Sequence, residues 1–343
     1  MRKIELLNEC EIESVPQDVM VSVIVTTFNH GKFLRDCLDS ILSQICNFRI
    51  EIVIHDDASE DNTQDIIRKY QSKYPSLIVA ILQKVNLYSQ GYSIDKEYMP
   101  YVRGKYIATC EGDDYWLDNK KLQKQIQFLE NNSSYIAFYH KALVVDIDKN
   151  YLGWYYPNVD KDMTYIKLTG SIVLPGQTAT NVYRNIWNSF SDEMLSDYEN
   201  VPGPGDEKIA RLLLCMGNIY YSAEVMSAYR YVIDKGSSWS ARMRKVNRTE
   251  DIYERNIHLN NFTERYFNLT IIDECLKLDL LWYSFGFWVR SRKRQDLLTY
   301  QHCRKNFSEI SNFRLLKFYL KKNLSFVKRK ISIIYSKKNI HAN

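Results

Sequence analysis

Glu111, Asp113 and Asp114 crowd into four residues at the end of an apolar run, 106–110. Neighbouring carboxylates repel and resist joint ionisation unless a cation sits between them. Oxygen ligands of this type suit Mg2+ or Mn2+, which take one or two carboxylates together with substrate phosphates. The cluster reads either as a metal–diphosphate site or as a solvated acidic turn. A second pair, Asp56 and Asp57, closes the apolar run 50–55, and Thr26, Phe28 and His30 lie at the end of a third, which begins at Val21. Asp206 stands in a Pro/Gly-rich stretch, 201–208, that leads into a helical pattern over 209–216. There a carboxylate can take the first free amides of the helix. It can also remove a proton from a hydroxyl within hydrogen-bond reach.

The elements that must carry these groups follow from periodicity. After 21–28 comes a helix with Phe33, Leu34, Cys37, Leu38 and Ile41 on one face. After 50–57 comes another, through Ile66, Ile67 and Tyr70, which Asp61 or Asn62 can cap. Strands alternating with helices at short spacing predict an α/β fold with a mostly parallel sheet and right-handed crossovers. Ligands of such sheets bind beyond the carboxyl ends of the strands. Three polar strand ends on one edge therefore look like a nucleotide site.

The order Val-Ser-Val-Ile-Val-Thr-Thr-Phe-Asn-His, Phe-Leu-Arg-Asp-Cys-Leu-Asp-Ser-Ile-Leu, Asp-Asp-Ala-Ser-Glu-Asp-Asn-Thr and Cys-Glu-Gly-Asp-Asp-Tyr-Trp closely resembles family 2 glycosyltransferases of the GT-A fold. The resemblance is specific over about residues 18–145 and weaker to Trp239. It implies a GT-A, Rossmann-like, mostly parallel sheet flanked by helices over 1–245. The nucleotide-sugar half would be about 18–145 and the acceptor half about 146–245. A helical C-terminal extension, 246–343, would follow. It also implies inverting transfer from a nucleotide-diphosphate sugar, with UDP the commonest base, aided by Mn2+ or Mg2+.

By the same resemblance, Thr26 and Phe28 line the base pocket and Asp57, with Asp56, binds the base. Asp113 and Asp114 match carboxylates that bind metal and ribose, with metal ligation placed on Asp114 before Asp113. Glu111 stands where many relatives carry the first aspartate of an Asp-x-Asp motif. Asp206 matches the base that deprotonates the acceptor, with Glu207 second. Lys84 and Asn86 either approach the sugar nucleotide or are ordinary loop residues. Gln177 and Thr178 are acceptor-side candidates. Arg230 is either a fork donor to phosphate or a structural arginine. Val232 occupies the position where many relatives place a metal-binding histidine, and Trp239 either stacks on a sugar or packs.

Seven cysteines are scattered over the 343 residues with no Cys-x-x-Cys pair, so neither a zinc site nor a disulfide framework is supported. Cys37 and Cys110 read as small buried hydrophobes. The N-terminus lacks the apolar core of a signal peptide, and no apolar run reaches the ~20 residues of a membrane span. The aromatic-rich stretch 280–289 reads as a docking helix. Residues 313–343 hold nine Lys/Arg and no Asp/Glu, within a net charge of +5, so the rest of the chain is acidic on balance. Basic and apolar residues alternate there at helical spacing. The tail is either solvated or lies on an anionic membrane, each basic residue adding about 1 kcal/mol. Nucleic acid is not an expected partner.

The expected function is a cytoplasmic sugar transferase, peripherally attached to the inner face of the cell membrane. It would serve bacterial surface polysaccharide synthesis on a glycan or lipid-linked acceptor. A non-catalytic sugar-nucleotide binder is one rival. A metal-dependent nucleotidyltransferase is the other, although 26–31 has a single glycine where a triphosphate loop would have several.

Overall fold

The computed structural model describes residues 18–92, 94–165, 174–203, 205–231, 247–272 and 274–323. In chain order the first part comprises β1 (Val19–Thr27), α1 (Leu34–Leu42), β2 (Arg49–Asp56), α2 (Thr63–Lys73), β3 (Ile78–Leu82), α3 (Asp95–Tyr98), β4 (Tyr106–Glu111), β5 (Tyr115–Trp116), α4 (Lys121–Asn131) and β6 (Tyr135–Val145). It continues through β7 (Tyr151–Tyr156), β8 (Met163–Tyr165), β9 (Val182–Arg184), α5 (Asp192–Glu199), α6 (Gly205–Met216) and β10 (Asn218–Arg230). The C-terminal helices are α7 (Thr249–Phe267), α8 (Glu274–Ser291), α9 (Arg294–Asn306) and α10 (312–323).

Among the described residues the strands form one sheet of order β3-β2-β1-β4-β9-β6-β10-β5, with β7 on β6 and β8 on β10. β3, β2, β1 and β4 run parallel, while β9 is antiparallel to both β4 and β6. Both faces of the parallel part are covered, which is why its strands read as unbroken apolar runs. Val21, Val23 and Val25 face one core with Leu34, Leu38 and Ile66. Ile24, Val53 and Ile107 face the opposite core with Leu212, Leu213 and Leu259. The stripe Leu34, Cys37, Leu38 and Ile41 is fully buried along α1, each aliphatic side chain contributing about 1.5–3 kcal/mol. Cys37 and Cys110 sit against each other in this core, their sulfurs 3.7 Å apart. A third core joins Ile252 of α7 to Leu276 and Leu280 of α8, Cys303 of α9 and Leu315 of α10. The aromatic-rich stretch lies within α8, where Phe285 stacks on Tyr319 at 5.3 Å.

Candidate active site

Register alone brings the polar strand ends together. Thr26 pairs with Glu111 across β1 and β4, and Thr27 with Asp56 across β1 and β2. The loops that follow are then tied to each other. Asn29, at φ 56°, accepts the Glu60 amide on its side-chain oxygen (2.8 Å) and donates its own amide to the Ser59 hydroxyl (2.8 Å). The Gly31 amide donates to Asp61 (2.9 Å), which also accepts the Thr63 amide (2.9 Å) and so caps α2. Beyond this edge lies an open cavity of about 450 Å³, lined by Phe28, Ser59, Glu60, Gln64, Lys84 and Asn86. That is within the ~300–1,000 Å³ of typical small-molecule sites. Phe28 is 42% exposed, a large aromatic face left to water at a strand end.

The two aspartates at the end of β2 divide their work. Asp56 is fully buried and accepts from the Ser59 amide (3.0 Å), the Ser59 hydroxyl and Gln64 Nε2 (2.7 Å). It builds the turn through Ala58, at φ 61°, and has no exposure to offer a ligand. Asp56, expected to bind nucleotide, thus spends these hydrogen bonds on the turn itself. Asp57 accepts the Leu87 and Tyr88 amides (2.8 and 3.1 Å), so it shapes the loop on the cavity's far rim. A carboxylate has about four lone-pair positions, but Asp57 is itself buried, at 4% exposure.

At the end of β4, oxygens of Glu111, Asp113 and Asp114 lie within 4.8 Å of one another. Gly112 makes the close turn possible, since a Cβ there would come 2.8 Å from Thr27 Oγ1 and 3.0 Å from His30 Nδ1. Glu111 is half-buried, and burial, Asp113 and Asp206 together push its carboxyl up to about 8. Burial, then Asp113 and Glu111, push Asp114 upward as well. Three mutually repelling carboxylates with all-oxygen donors fit a hard divalent cation.

Asp114, however, is fully buried, with Oδ2 accepting Gln177 Nε2 (2.5 Å) and Oδ1 accepting the Arg230 amide (2.8 Å). Asp113 remains partly exposed, with His30 Nε2 3.8 Å away. The partly exposed pair is therefore Glu111 and Asp113, whereas the motif places metal ligation on Asp114 before Asp113.

Three further expectations change for physical reasons. Arg230 is 3% exposed, and its guanidinium lies 4.8 Å from the centroids of both Phe33 and Tyr115. It pairs with Asp36 and donates to the Asp113 carbonyl, so it fastens α1 to the acidic turn rather than reaching for phosphate. Gln177 is turned inward because a buried carboxylate needs donors, so it supports Asp114 instead of meeting an acceptor. Thr178 is half-buried beside it, its carbonyl accepting from Thr109 Oγ1 (2.6 Å). Glu207, the second candidate base, is paired with Arg255 and lies 3.7 Å from Arg248. Val232, Trp239 and the tail 324–343 fall outside the described residues.

Asp206 is the second residue of α6, in its first turn, with Oδ1 accepting the Glu207 amide (2.8 Å). It is open to water, yet enough protein surrounds it that burial, followed by the neighbouring Glu207, pushes its carboxyl up to about 6. Its charge is one of the influences that raise Glu111, after burial and Asp113. Gln64 and Gln83 are neighbours of this edge that motif reading missed. Gln64 Nε2 donates to both Asp56 and the Gln83 carbonyl (2.7 and 3.2 Å). Only the proximity of Gln64 to the second strand end could have signalled it.

Comparisons with known proteins agree with this architecture. The family model described as glycosyl transferase family 2 matches residues 22–182. An uncharacterised protein of Mycobacterium tuberculosis is 35% identical over 125 residues, 36% of each chain. The Escherichia coli UDP-Glc:alpha-D-GlcNAc-diphosphoundecaprenol beta-1,3-glucosyltransferase WfaP is 33% identical over 120 residues, 35% of this chain and 45% of that one. The chain thus spans between about a third and a half of the length of the curated relatives it matches. In three dimensions, S. aureus TarS 1-349, solved in complex with UDP-GlcNAc, superposes with a TM-score of 0.58. It covers 84% of this chain and 80% of its own at 18% identity, a likeness of fold. The strand-end acids, the alternating parallel sheet and these matches together identify residues 22–182 as a family 2 glycosyltransferase domain of the GT-A fold.

Proposed function

We propose that the protein transfers a sugar, with inversion, from a nucleotide-diphosphate sugar to a hydroxyl of a glycan or lipid-linked acceptor in bacterial surface polysaccharide synthesis. A UDP-sugar is the first candidate donor. The observation that carries this reading is the convergence of Glu111, Asp113 and Asp114 at the end of β4, their oxygens within 4.8 Å of one another. Glu111 and Asp113 stand at the end of β4, and Asp206 stands close enough for its charge to act on Glu111. Glu111 and Asp113 would hold Mn2+ or Mg2+, and a cation bound there would offset the charge of the leaving diphosphate. Asp57 and Phe28 would take the base, and Lys84, on the cavity wall with Phe28, would take the phosphates. Asp206 accepts the acceptor's hydroxyl proton as that oxygen bonds the anomeric carbon and the bond from that carbon to diphosphate breaks. The name of the E. coli relative, which pairs UDP-Glc with a diphosphoundecaprenol-linked acceptor, supports both the base and the acceptor class.

The test is the thermal midpoint against UDP-, GDP-, dTDP- and CMP-sugars, with and without Mn2+. A ligand that binds the native state raises the midpoint by mass action, by about 2.7 kcal/mol of stability at 100 times Kd. One nucleotide is expected to give a Mn2+-dependent rise. No rise with any of them would remove the donor-binding premise, and a rise without sugar turnover would favour a binding protein.

We also propose that the C-terminal helices rest on an anionic membrane from the cytoplasmic side. No described helix is long and apolar enough to cross one. On α10, Phe313, Leu316 and Leu320 are 76%, 57% and 57% exposed, and they follow helical spacing as one outward stripe. Arg314, Lys317 and Lys321 flank them, all exposed. The opposite face, through Leu315, packs into the third core. The triple variant Phe313→Ser/Leu316→Ser/Leu320→Ser is expected to stop flotation with phosphatidylglycerol vesicles while retaining activity on a soluble acceptor. Flotation equal to wild type would exclude this face as the contact.

A further inference from the structure

Arg255 belongs to α7, outside the sheet, and is 3% exposed. Its Nη2 pairs with Glu207, the residue after Asp206. The loop entering α6 lies directly on the same side chain. Gly203 has φ +108°, and a Cβ there would come 2.3 Å from Arg255 Cδ and 2.7 Å from Nη1. Only a residue without a side chain permits both that conformation and that approach. From the other side, Lys96 pairs with Glu199, and Lys208 Nζ donates to the Val201 carbonyl (3.0 Å). Gly205 lies against Asp95, where a Cβ would stand 3.7 Å from Oδ2. Residues 199–203 and 205–208 are thus clamped between α3 and α7, with Asp206 presented near the end.

A buried ion pair is a poor device for stability, because desolvation consumes most of its attraction. Its value here is placement. We propose that Arg255 is a positioning residue for transfer: by clamping Glu207 and bedding Gly203 it fixes the approach of the Asp206 carboxylate to the acceptor hydroxyl. The inference rests on the reading of Asp206 as the base. It makes the C-terminal helices part of the acceptor-side machinery, although the family match ends at residue 182.

Arg255 also sets the charge balance at Asp206. The groups facing Asp206 are Glu207 beside it, Arg255 from α7, Glu111 from β4 and Tyr139 from β6, with Asp95 of α3 against neighbouring Gly205. Glu207 raises the proton affinity of Asp206 and Arg255 lowers it. Variants of the two therefore move the acid limb of the pH–kcat profile in opposite directions, which loss of packing alone does not do.

The experiment measures kcat, donor KM, donor affinity and the pH profile for Arg255→Lys, Arg255→Ala and Glu207→Gln, with Asp206→Asn alongside. Arg255→Lys keeps the charge and loses the fork. It is expected to lower kcat about tenfold, with donor KM, donor affinity and the acid limb unchanged. Arg255→Ala is expected to lower kcat about 100-fold and move the acid limb up. Glu207→Gln is expected to move it down. If Arg255→Ala does not fold, the other two variants decide. Wild-type kcat in Arg255→Lys, or an acid limb that does not move down in Glu207→Gln, overturns the inference. If Asp206→Asn is itself active, the base assignment fails first. If it is inactive while the Arg255 variants behave as wild type, only the positioning role fails.

Discussion

Asp206→Asn is expected to lower kcat by about 10²–10⁴-fold, the usual contribution of a positioned base, with donor affinity and thermal midpoint unchanged. The substitution keeps the shape and the hydrogen bond from the Glu207 amide but removes the only feature the chemistry needs, a site for the proton. The pH profile carries the same signature. A carboxyl pushed up to about 6 is protonated below that pH, so wild-type activity falls as pH drops through about 6 in the free protein. A cation bound at Glu111 and Asp113 would move that limb downward, because positive charge favours the carboxylate. The residual activity of Asp206→Asn loses the limb altogether. The measurement is nucleotide release coupled to glycan formation at saturating donor over pH 4.5–8. A variant that turns over at near the wild-type rate would sink the assignment of Asp206 as base.

The second large effect separates two adjacent aspartates. Asp113→Asn removes a cleft-facing charge and leaves the fold intact. Its thermal midpoint in metal-free buffer is expected to match wild type. The Mn2+-dependent donor shift should vanish and kcat/KM fall by more than about 100-fold, the upper cost of changes one shell further out. Asp114→Asn should behave in the opposite way. Its new amide N–H would face a donor, whether Gln177 Nε2 or the Arg230 amide, and a buried unmatched group costs about 1–3 kcal/mol. The midpoint should therefore drop before any metal is added. If Asp114→Asn keeps its midpoint and alone loses the metal response, the order of the two ligands reverts to the one read from the motif.

The polar edge of the sheet was legible in the sequence because its signals are local. An apolar run long enough for a buried strand, stopped by carboxylates, states both where the strand is and which end is polar. The parallel arrangement of 21–27, 49–56 and 106–111 then puts the three ends together. The residues whose expected roles changed are those whose partners come from far along the chain. Arg230 meets Asp36 across 194 positions, and Gln177 meets Asp114 across 63. Nothing in the neighbourhood of an arginine tells whether its fork will face a phosphate or be sandwiched between two rings. Glu207 illustrates the same limit. Beside Asp206 it looks like a second base, and only the packing of α7 against α6 reveals that its charge is already taken. Periodicity marks which face of an element is buried, while pairing between buried polar groups depends on the completed fold.

The two faces of the sheet bear on how such a protein can change over time. The donor-side groups hang from β1, β2 and β4, held from one face by α1 and α2. Asp206 hangs from α6, held from the other face by α7 and its helices. A substitution that reshapes the acceptor side through α5, α6 or α7 leaves the packing of α1 and α2 alone. If Asp206 serves the acceptor as proposed, one scaffold could acquire a new acceptor without relearning its donor. On the proposed reading, the cost of each trial would fall mainly on the clamp around residues 199–203 and 205–208, where a single displaced arginine would slow transfer while the protein remained folded and loaded.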